Sequence, residues 1–277
     1  MCGTCGCGSE ENGVTIQSPN EIKIHQHAHS HDLDHHHHDG NHSHSHDHSH
    51  DHHHKTILEV EQDILQHNDK MAARNRGYFD AKNIFTLNLV SSPGSGKTSI
   101  LERTLSDLKN EISFSVIEGD QQTLNDANRI AAINIPVMQI NTGKGCHLES
   151  DMIYNAVKKL NIKENSILMI ENVGNLVCPA MFDLGENKRI VIISTTEGED
   201  KPIKYPDMFH SSDICIINKI DLLPYLNFDM DKVKEYALQV NPNLQFFEVS
   251  ATTGEGMEDW YKWLKAHPKF FPKGRTS

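Results

Sequence analysis

One segment constrains the fold more than any other: Leu87-Asn88-Leu89-Val90-Ser91-Ser92-Pro93-Gly94-Ser95-Gly96-Lys97-Thr98-Ser99, an apolar run followed by a glycine-rich loop and a helix-forming stretch. Such a loop works between a buried strand and the first turn of a helix, where its backbone N–H groups and the helix N-terminus converge on phosphate oxygens. Gly94, Ser95, Gly96, Lys97, Thr98 and Ser99 are the candidate phosphate residues. Lys97, also a catalytic candidate, is expected to reach the β and γ phosphates, and the Thr98 hydroxyl to hold Mg²⁺. Ser91 stands where the general pattern GxxxxGK[ST] has its first glycine, while Gly94 and Gly96 keep the turn free to bend.

The rest of the chain is patterned to match. Short apolar runs at Ile84 to Val90, Ile112 to Ile117, Pro136 to Ile140, Ile167 to Ile170, Ile190 to Ile193, Ile214 to Ile217 and Leu244 to Val249 read as strands, with polar helical segments between nearly all of them. That alternation predicts an α/β domain with a mainly parallel sheet flanked by helices. Ahead of it, Ile57, Val60, Ile64, Leu65 and Met71 recur at helical spacing and predict an amphipathic helix over residues 56 to 81.

The base is read by a second motif. Asn218-Lys219-Ile220-Asp221 follows the strand at Ile214 to Ile217. Asp221 can accept two hydrogen bonds from guanine N1–H and its amino group, which adenine does not supply, and Lys219 can pack along the ring. Ser250 and Ala251, after the last strand, offer backbone N–H groups for the guanine carbonyl. Two acidic residues also end strands on the crevice side, where nucleotides bind in open α/β sheets: Asp120 in Glu118-Gly119-Asp120, and Glu171 in Ile170-Glu171-Asn172-Val173-Gly174. Glu171 is the expected Mg²⁺ residue, Gly174 the N–H donor to the γ-phosphate, and Asp120 the residue that orients the attacking water or adds a magnesium contact. The alternative for either carboxylate is a helix cap.

The six cysteines do not form a disulfide framework. Cys2, Cys5 and Cys7 put three thiols within six residues, separated by glycine, and suit Ni²⁺, Zn²⁺ or Cu⁺, with the amino terminus as a fourth ligand. A structural zinc site is the alternative. A second cluster, Cys146 and His147 after Thr142-Gly143-Lys144-Gly145, with Cys178 seven residues beyond Glu171, would bind Ni²⁺ or Zn²⁺ in the segment that senses the γ-phosphate. Nucleotide state would then move one ligand against the other two. Cys215, inside an apolar strand, reads as core, and His67, His210 and His267 as ordinary histidines. Between His25 and His54 lie sixteen histidines in thirty residues, and residues 1 to 55 hold eight acidic and two basic side chains. Such a segment builds no core, so it is expected to be a disordered metal-buffering tail ahead of a domain spanning 56 to 277. The net charge of −12 with no basic stripe argues against nucleic acid. No run of 18 apolar residues appears, so a membrane partner is not expected and the cytoplasm is.

The ordered set Cys2-Gly3-Thr4-Cys5-Gly6-Cys7, the histidine tract, Ser91 to Ser99, Glu118-Gly119-Asp120, Thr142 to His147 and Glu171 to Pro179 resembles the hydrogenase nickel-incorporation GTPase (HypB) family. The resemblance implies a G domain of the signal-recognition (SIMIBI) class that hydrolyses GTP and forms a GTP-dependent homodimer. It implies high-affinity nickel at Cys2, Cys5 and Cys7, and a weaker nickel or zinc site at Cys146, His147 and Cys178. It further implies cooperation with the nickel chaperone HypA in loading the [NiFe]-hydrogenase large-subunit precursor. The competing readings are a metal-storage protein built around the histidine tract and an accessory GTPase for urease or another nickel or zinc enzyme.

Overall fold

The computed structural model describes residues 14–19, 57–120 and 125–266. The motif Cys2, Cys5 and Cys7 and the histidine tract lie outside them. After helix α1 (Ile57–Ala81) the chain alternates as the sequence predicts: β2 (Ile84–Ser91), α2 (Lys97–Leu108), β3 (Phe114–Asp120), α3 (Asn125–Ala132), β4 (Val137–Asn141), α4 (Ser150–Lys159) and β5 (Ser166–Gly174). There follow β6 (Lys188–Ser194), α5 (Lys201–Lys204), α6 (Pro206–His210), β7 (Ile214–Asn218), α7 (Met230–Val240), β8 (Gln245–Glu248) and α8 (Met257–Lys265). Among the described residues these strands join one eight-stranded sheet in the order β1-β4-β3-β5-β2-β6-β7-β8, where β1 is Thr15–Gln17. Every neighbouring pair from β4 to β8 is parallel.

Why these strands form is plain from burial. β2 is buried along its whole length and β5 along all but its last residue, which requires both faces to be covered by helices. One face packs Leu105 of α2, Ile130 of α3 and Trp260 of α8 against the strands, and Trp260 Nε1 donates to Thr104 Oγ1 at 3.0 Å. The other face splits into a group around Phe79 of α1 and Ile153 of α4, and a group around Met208 of α6 and Val233 of α7. Asn83, Asn134 and Asn165 adopt left-handed backbone just before strands, a conformation asparagine tolerates better than most residues.

β1 is the element the sequence does not announce. It pairs antiparallel with β4, Thr15 opposite Asn141 and Gln17 opposite Gln139, inside the segment read as tail. Three residues carry too little periodicity to be recognised, and the strand exists because Ile16 packs on the α1/α4 core and Lys159 Nζ donates to its carbonyl at 2.9 Å.

Candidate nucleotide and metal sites

The loop between β2 and α2 has the shape that phosphate binding requires. Gly94 and Gly96 sit at φ +78° and +90°, a region closed to most side chains, and a Cβ on Gly96 would meet Asn218 Nδ2 at 2.4 Å. The loop borders a cleft of about 330 Å³ that reaches Glu118, Asp120 and Glu171 on the neighbouring strand ends and Gly174 beyond them. Ser95 Oγ is buried with no hydrogen-bond partner. A turn of positive-φ glycines with a spare hydroxyl in a polar cleft fits the phosphates of a nucleotide.

Four acids, Glu118, Asp120, Asp126 and Glu171, and two cations, Lys97 and Arg129, share this cleft. Glu171 Oε1 accepts from Lys97 Nζ at 2.7 Å and from Thr98 Oγ1 at 2.6 Å, while its Oε2 is buried without a partner. That spare oxygen beside a hydroxyl fits Mg²⁺, a hard cation that takes oxygen ligands. Asp120 ends β3 with its carbonyl accepting from Thr142 N at 2.9 Å. Glu118, two residues earlier, is only 2% exposed, and burial, then the charges of Glu171 and Asp120, push its carboxyl up to about 9. It enters the site as a neutral acid, which keeps the acids from repelling one another. Asp126 in the first turn of α3 lies 3.3 Å from Thr98 Oγ1.

The Asn218-Lys219 segment meets the phosphate loop directly. Asn218 Nδ2 donates to Ser95 O at 2.9 Å, and Lys219 Nζ donates to Gly94 O at 2.6 Å. Lys219 itself is left-handed at φ +63°, its carbonyl held by Thr195 Oγ1 at 2.7 Å, so that Asp221 falls in the first turn of a 3-10 segment, Ile220–Tyr225. Ser250 and Ala251 follow β8 beside this loop. Their N–H groups are engaged within the protein, Ser250 N with Glu255 O at 2.9 Å and Ala251 N with Asn218 Oδ1 at 3.2 Å. The loop therefore ties Asn218 in place.

The structure brings the three candidate metal ligands of the domain together. Ligand atoms of Cys146, His147 and Cys178 all lie within 4.8 Å of one another. The thiols of Cys146 and Cys178 are 2.7 Å apart, and His147 Nδ1 is 3.6 Å from Cys146 Sγ. His147 is buried and stacks on Phe182 with centroids 3.9 Å apart, which fixes the ring. Two soft sulfurs and an imidazole suit Ni²⁺ or Zn²⁺. Cys215 is fully buried in β7, and burial pushes its thiol far up, so it is inert core. His67 is exposed and pairs with Asp151 at 2.5 Å.

The metal and nucleotide sites share one stretch of chain. Glu171 and Gly174 lie in β5, and Cys178 begins the 3-10 turn Cys178–Met181 just past it. Asn175 Nδ2 donates to Cys146 O at 3.3 Å, and Asn172 Oδ1 accepts from Leu148 N at 3.2 Å, next to His147. Sequence reasoning passed over Glu118, Asn172, Asn175, and Glu197, whose carboxylate takes the Ser92 hydroxyl and the Ser194 N–H. Glu118 gave one signal, a glutamate within an otherwise apolar buried strand.

Comparison with known proteins agrees with this geometry. The family described as CobW/HypB/UreG, nucleotide-binding domain, matches residues 85–248. The chain is 55% identical over 211 residues to the hydrogenase maturation factor HypB of Escherichia coli strain K12, covering 76% of this chain and 73% of that protein. It is 59% identical over 209 residues to the HypB of Rhizobium leguminosarum bv. viciae, covering 76% and 70%. The crystal structure of HypB from Helicobacter pylori in complex with nickel superposes with a TM-score of 0.70 at 39% identity, over 76% of this chain and 98% of that one.

Proposed function

From the premise that this chain belongs to the CobW/HypB/UreG family, as a hydrogenase maturation factor of the HypB group, we propose that it hydrolyses GTP and uses nucleotide state to control nickel delivery to the [NiFe]-hydrogenase large-subunit precursor. Gly94 to Ser99 cradle the phosphates through their N–H groups, and the Lys97 ammonium offsets the charge that builds on the β and γ oxygens. Thr98, Glu171 and Asp120 would hold Mg²⁺, which when bound neutralises phosphate charge. Asp120 accepts a hydrogen bond from the attacking water and orients it, Gly174 N–H meets the γ-phosphate, and Asp221, with Asn218 and Lys219 behind it, selects guanine. No resident cofactor beyond Mg²⁺ is needed; GTP, nickel and zinc come and go.

The observation that carries this reading is the continuity of β5 with Cys178. A change at Glu171 or Gly174 reaches a metal ligand within seven residues, and Asn175 couples it to Cys146 on the other loop. Support for nickel as cargo comes from the donor set and from the nickel-bound relative. Cys2, Cys5 and Cys7 form the tighter site, with the histidine tract as a store. Tyr225, 83% exposed, and Leu226 follow Asp221 closely and offer apolar surface for a GTP-dependent homodimer. HypA is the partner that exchanges metal with the internal site. Among the described residues no helix is long and apolar enough to cross a membrane; the cytoplasm is the compartment this role calls for.

The test is the nickel affinity of Cys146, His147 and Cys178, read by thiolate-to-nickel charge transfer, and their zinc affinity, read by loss of that signal in competition, with Cys2, Cys5 and Cys7 replaced by serine, in GDP and in a non-hydrolysable GTP analogue. The expected result is an affinity difference of about tenfold or more, the scale of a typical coupling free energy. Equal affinities would refute nucleotide control of the metal.

A further inference from the structure

The two ring nitrogens of His147 face different groups. Nδ1 lies 3.6 Å from Cys146 Sγ. With metal–sulfur bonds of about 2.3 Å and metal–nitrogen bonds of about 2.0–2.1 Å, a nitrogen and a sulfur on one tetrahedral ion stand about 3.6 Å apart. The ring therefore presents Nδ1 to the thiols at ligand spacing. The sulfurs of Cys146 and Cys178, 2.7 Å apart, must part by about 1 Å to admit the same ion. Nε2 is buried with no hydrogen-bond partner among the described residues. An imidazole that gives its Nδ1 lone pair to a cation carries its proton on Nε2, so this buried atom becomes a donor in need of an acceptor.

The acceptor within reach is Glu149, whose Oε1 lies 3.5 Å from Nε2. Glu149 immediately precedes α4, yet its carboxylate makes no capping bond to that helix and faces the imidazole instead. The backbone next to it is pinned through Ser150. Ser150 N donates to Asn68 Oδ1 at 2.9 Å, its carbonyl accepts from Asn75 Nδ2 at 2.9 Å, and its Oγ donates to Asp183 O at 2.7 Å. Asp183 follows Phe182, the ring on which His147 stacks. One network thus fixes the imidazole, the surface it stacks on and the acid behind it.

We propose that Glu149 is the positioning residue of the internal metal centre: it accepts the Nε2 proton of His147, sets the tautomer that aims Nδ1 at the thiols, and so strengthens this ligand toward a soft divalent cation. The inference rests on the reading of Cys146, His147 and Cys178 as a metal site and adds how one of the three is aimed. A movement of about 0.5 Å brings Oε1 and Nε2 to the ordinary length of an N–H···O hydrogen bond. A carboxylate in this place raises the basicity of the imidazole it holds, and its loss lowers metal affinity about 10–100-fold.

The experiment uses the full chain with Cys2, Cys5 and Cys7 replaced by serine, so that thiolate-to-nickel charge transfer reports Cys146 and Cys178. Competition with EGTA gives the nickel affinity, and displacement of nickel by zinc gives the zinc affinity. Glu149→Ala should lower both about 10–100-fold, and Glu149→Gln, which keeps an acceptor at the same reach, should recover part of the loss. In a His147→Ala background the further change Glu149→Ala should move neither affinity by more than about twofold, because the carboxylate acts through the ring. Unchanged affinities in Glu149→Ala, or a Glu149→Gln variant no better than Glu149→Ala, would overturn the proposal. So would equal losses with and without His147, which would make the carboxylate a ligand in its own right.

A proton spectrum supplies a readout that affinity does not. Zinc loading should bring out a downfield imidazole N–H resonance that is lost in His147→Ala and in Glu149→Ala, and its persistence in Glu149→Ala refutes the hydrogen bond. Thermal melting of the metal-free variants shows that they fold, and the isosteric Glu149→Gln carries the test if Glu149→Ala does not. Absence of charge transfer with Cys146, His147 and Cys178 all in place defeats the functional reading together with this one, whereas binding that ignores Glu149 defeats only the positioning role.

Discussion

Replacing Arg189 by methionine should unfold this protein more readily than almost any other single change outside the apolar core. Arg189 and Glu186 form a buried ion pair at 2.9 Å, with side chains 7% and 6% exposed. The guanidinium also donates to Ala180 O at 3.0 Å and Phe182 O at 2.8 Å, so it fastens the segment that begins at Cys178 and ends at the ring on which His147 stacks. Methionine leaves Glu186 buried without its cation and two carbonyls without a donor. Breaking a buried pair from one side costs about 3–5 kcal/mol. For a domain of this size each kilocalorie is worth about 2–4 °C, which gives a fall in Tm of about 6–20 °C. Urea denaturation followed by the fluorescence of Trp260 and Trp263 measures the cost, and the slope against urea should be unchanged. Adding Glu186→Leu to Arg189→Met removes the stranded carboxylate and should recover at least half of the loss. A cost below about 1 kcal/mol, or a double variant as unstable as the sum of both single changes, would refute the assignment of this pair as the clamp on the Cys178 turn.

Two further outcomes follow from the cleft. Glu118 is neutral in the folded protein up to about 9 and ionised above 4.5 when unfolded, so folding takes up a proton between these values and stability falls as pH rises through that window. Glu118→Gln should abolish the effect, gaining up to about 3 kcal/mol at pH 7 and nothing near pH 4.5, and denaturation at several pH values checks it; a difference independent of pH refutes it. Gly96→Ala should weaken binding of a fluorescent GDP analogue about tenfold or more, because the new Cβ displaces Asn218 from its 2.9 Å bond to Ser95 O; unchanged titration curves would contradict the close approach.

What the sequence made legible was whatever repeats locally. The apolar runs that became β2 to β8 are strands because continuous Ile, Leu and Val stretches have no other way to be buried on both faces, and Gly94 to Thr98 carry their geometry in their own backbone. Cys146, His147 and Cys178 were legible as ligand types, yet their meeting depends on β4 and β5 lying on either side of β3, which no local pattern encodes. The missing residues share one property: their role exists only across the fold. Glu186 and Arg189 look like surface charges three apart, and only burial by the Cys178 turn makes them a clamp. Glu118 gains its role only from Glu171 opposite it in the register. Nor does the sequence show that the Ala251 amide donates to Asn218, a contact that exists only across the fold.

β1 has a consequence for the behaviour of the protein in a crowded solution. β4 is buried along Val137 to Ile140 and would otherwise end the sheet with a row of bare amides and carbonyls, the template on which strands of neighbouring molecules stack. Thr15–Gln17 occupies that row antiparallel, and at the far side the sheet closes with β8, only four residues long and exposed at Gln245. Neither margin presents a long flat strand, because a three-residue piece from far upstream covers the margin on which strands of neighbouring molecules would otherwise pair.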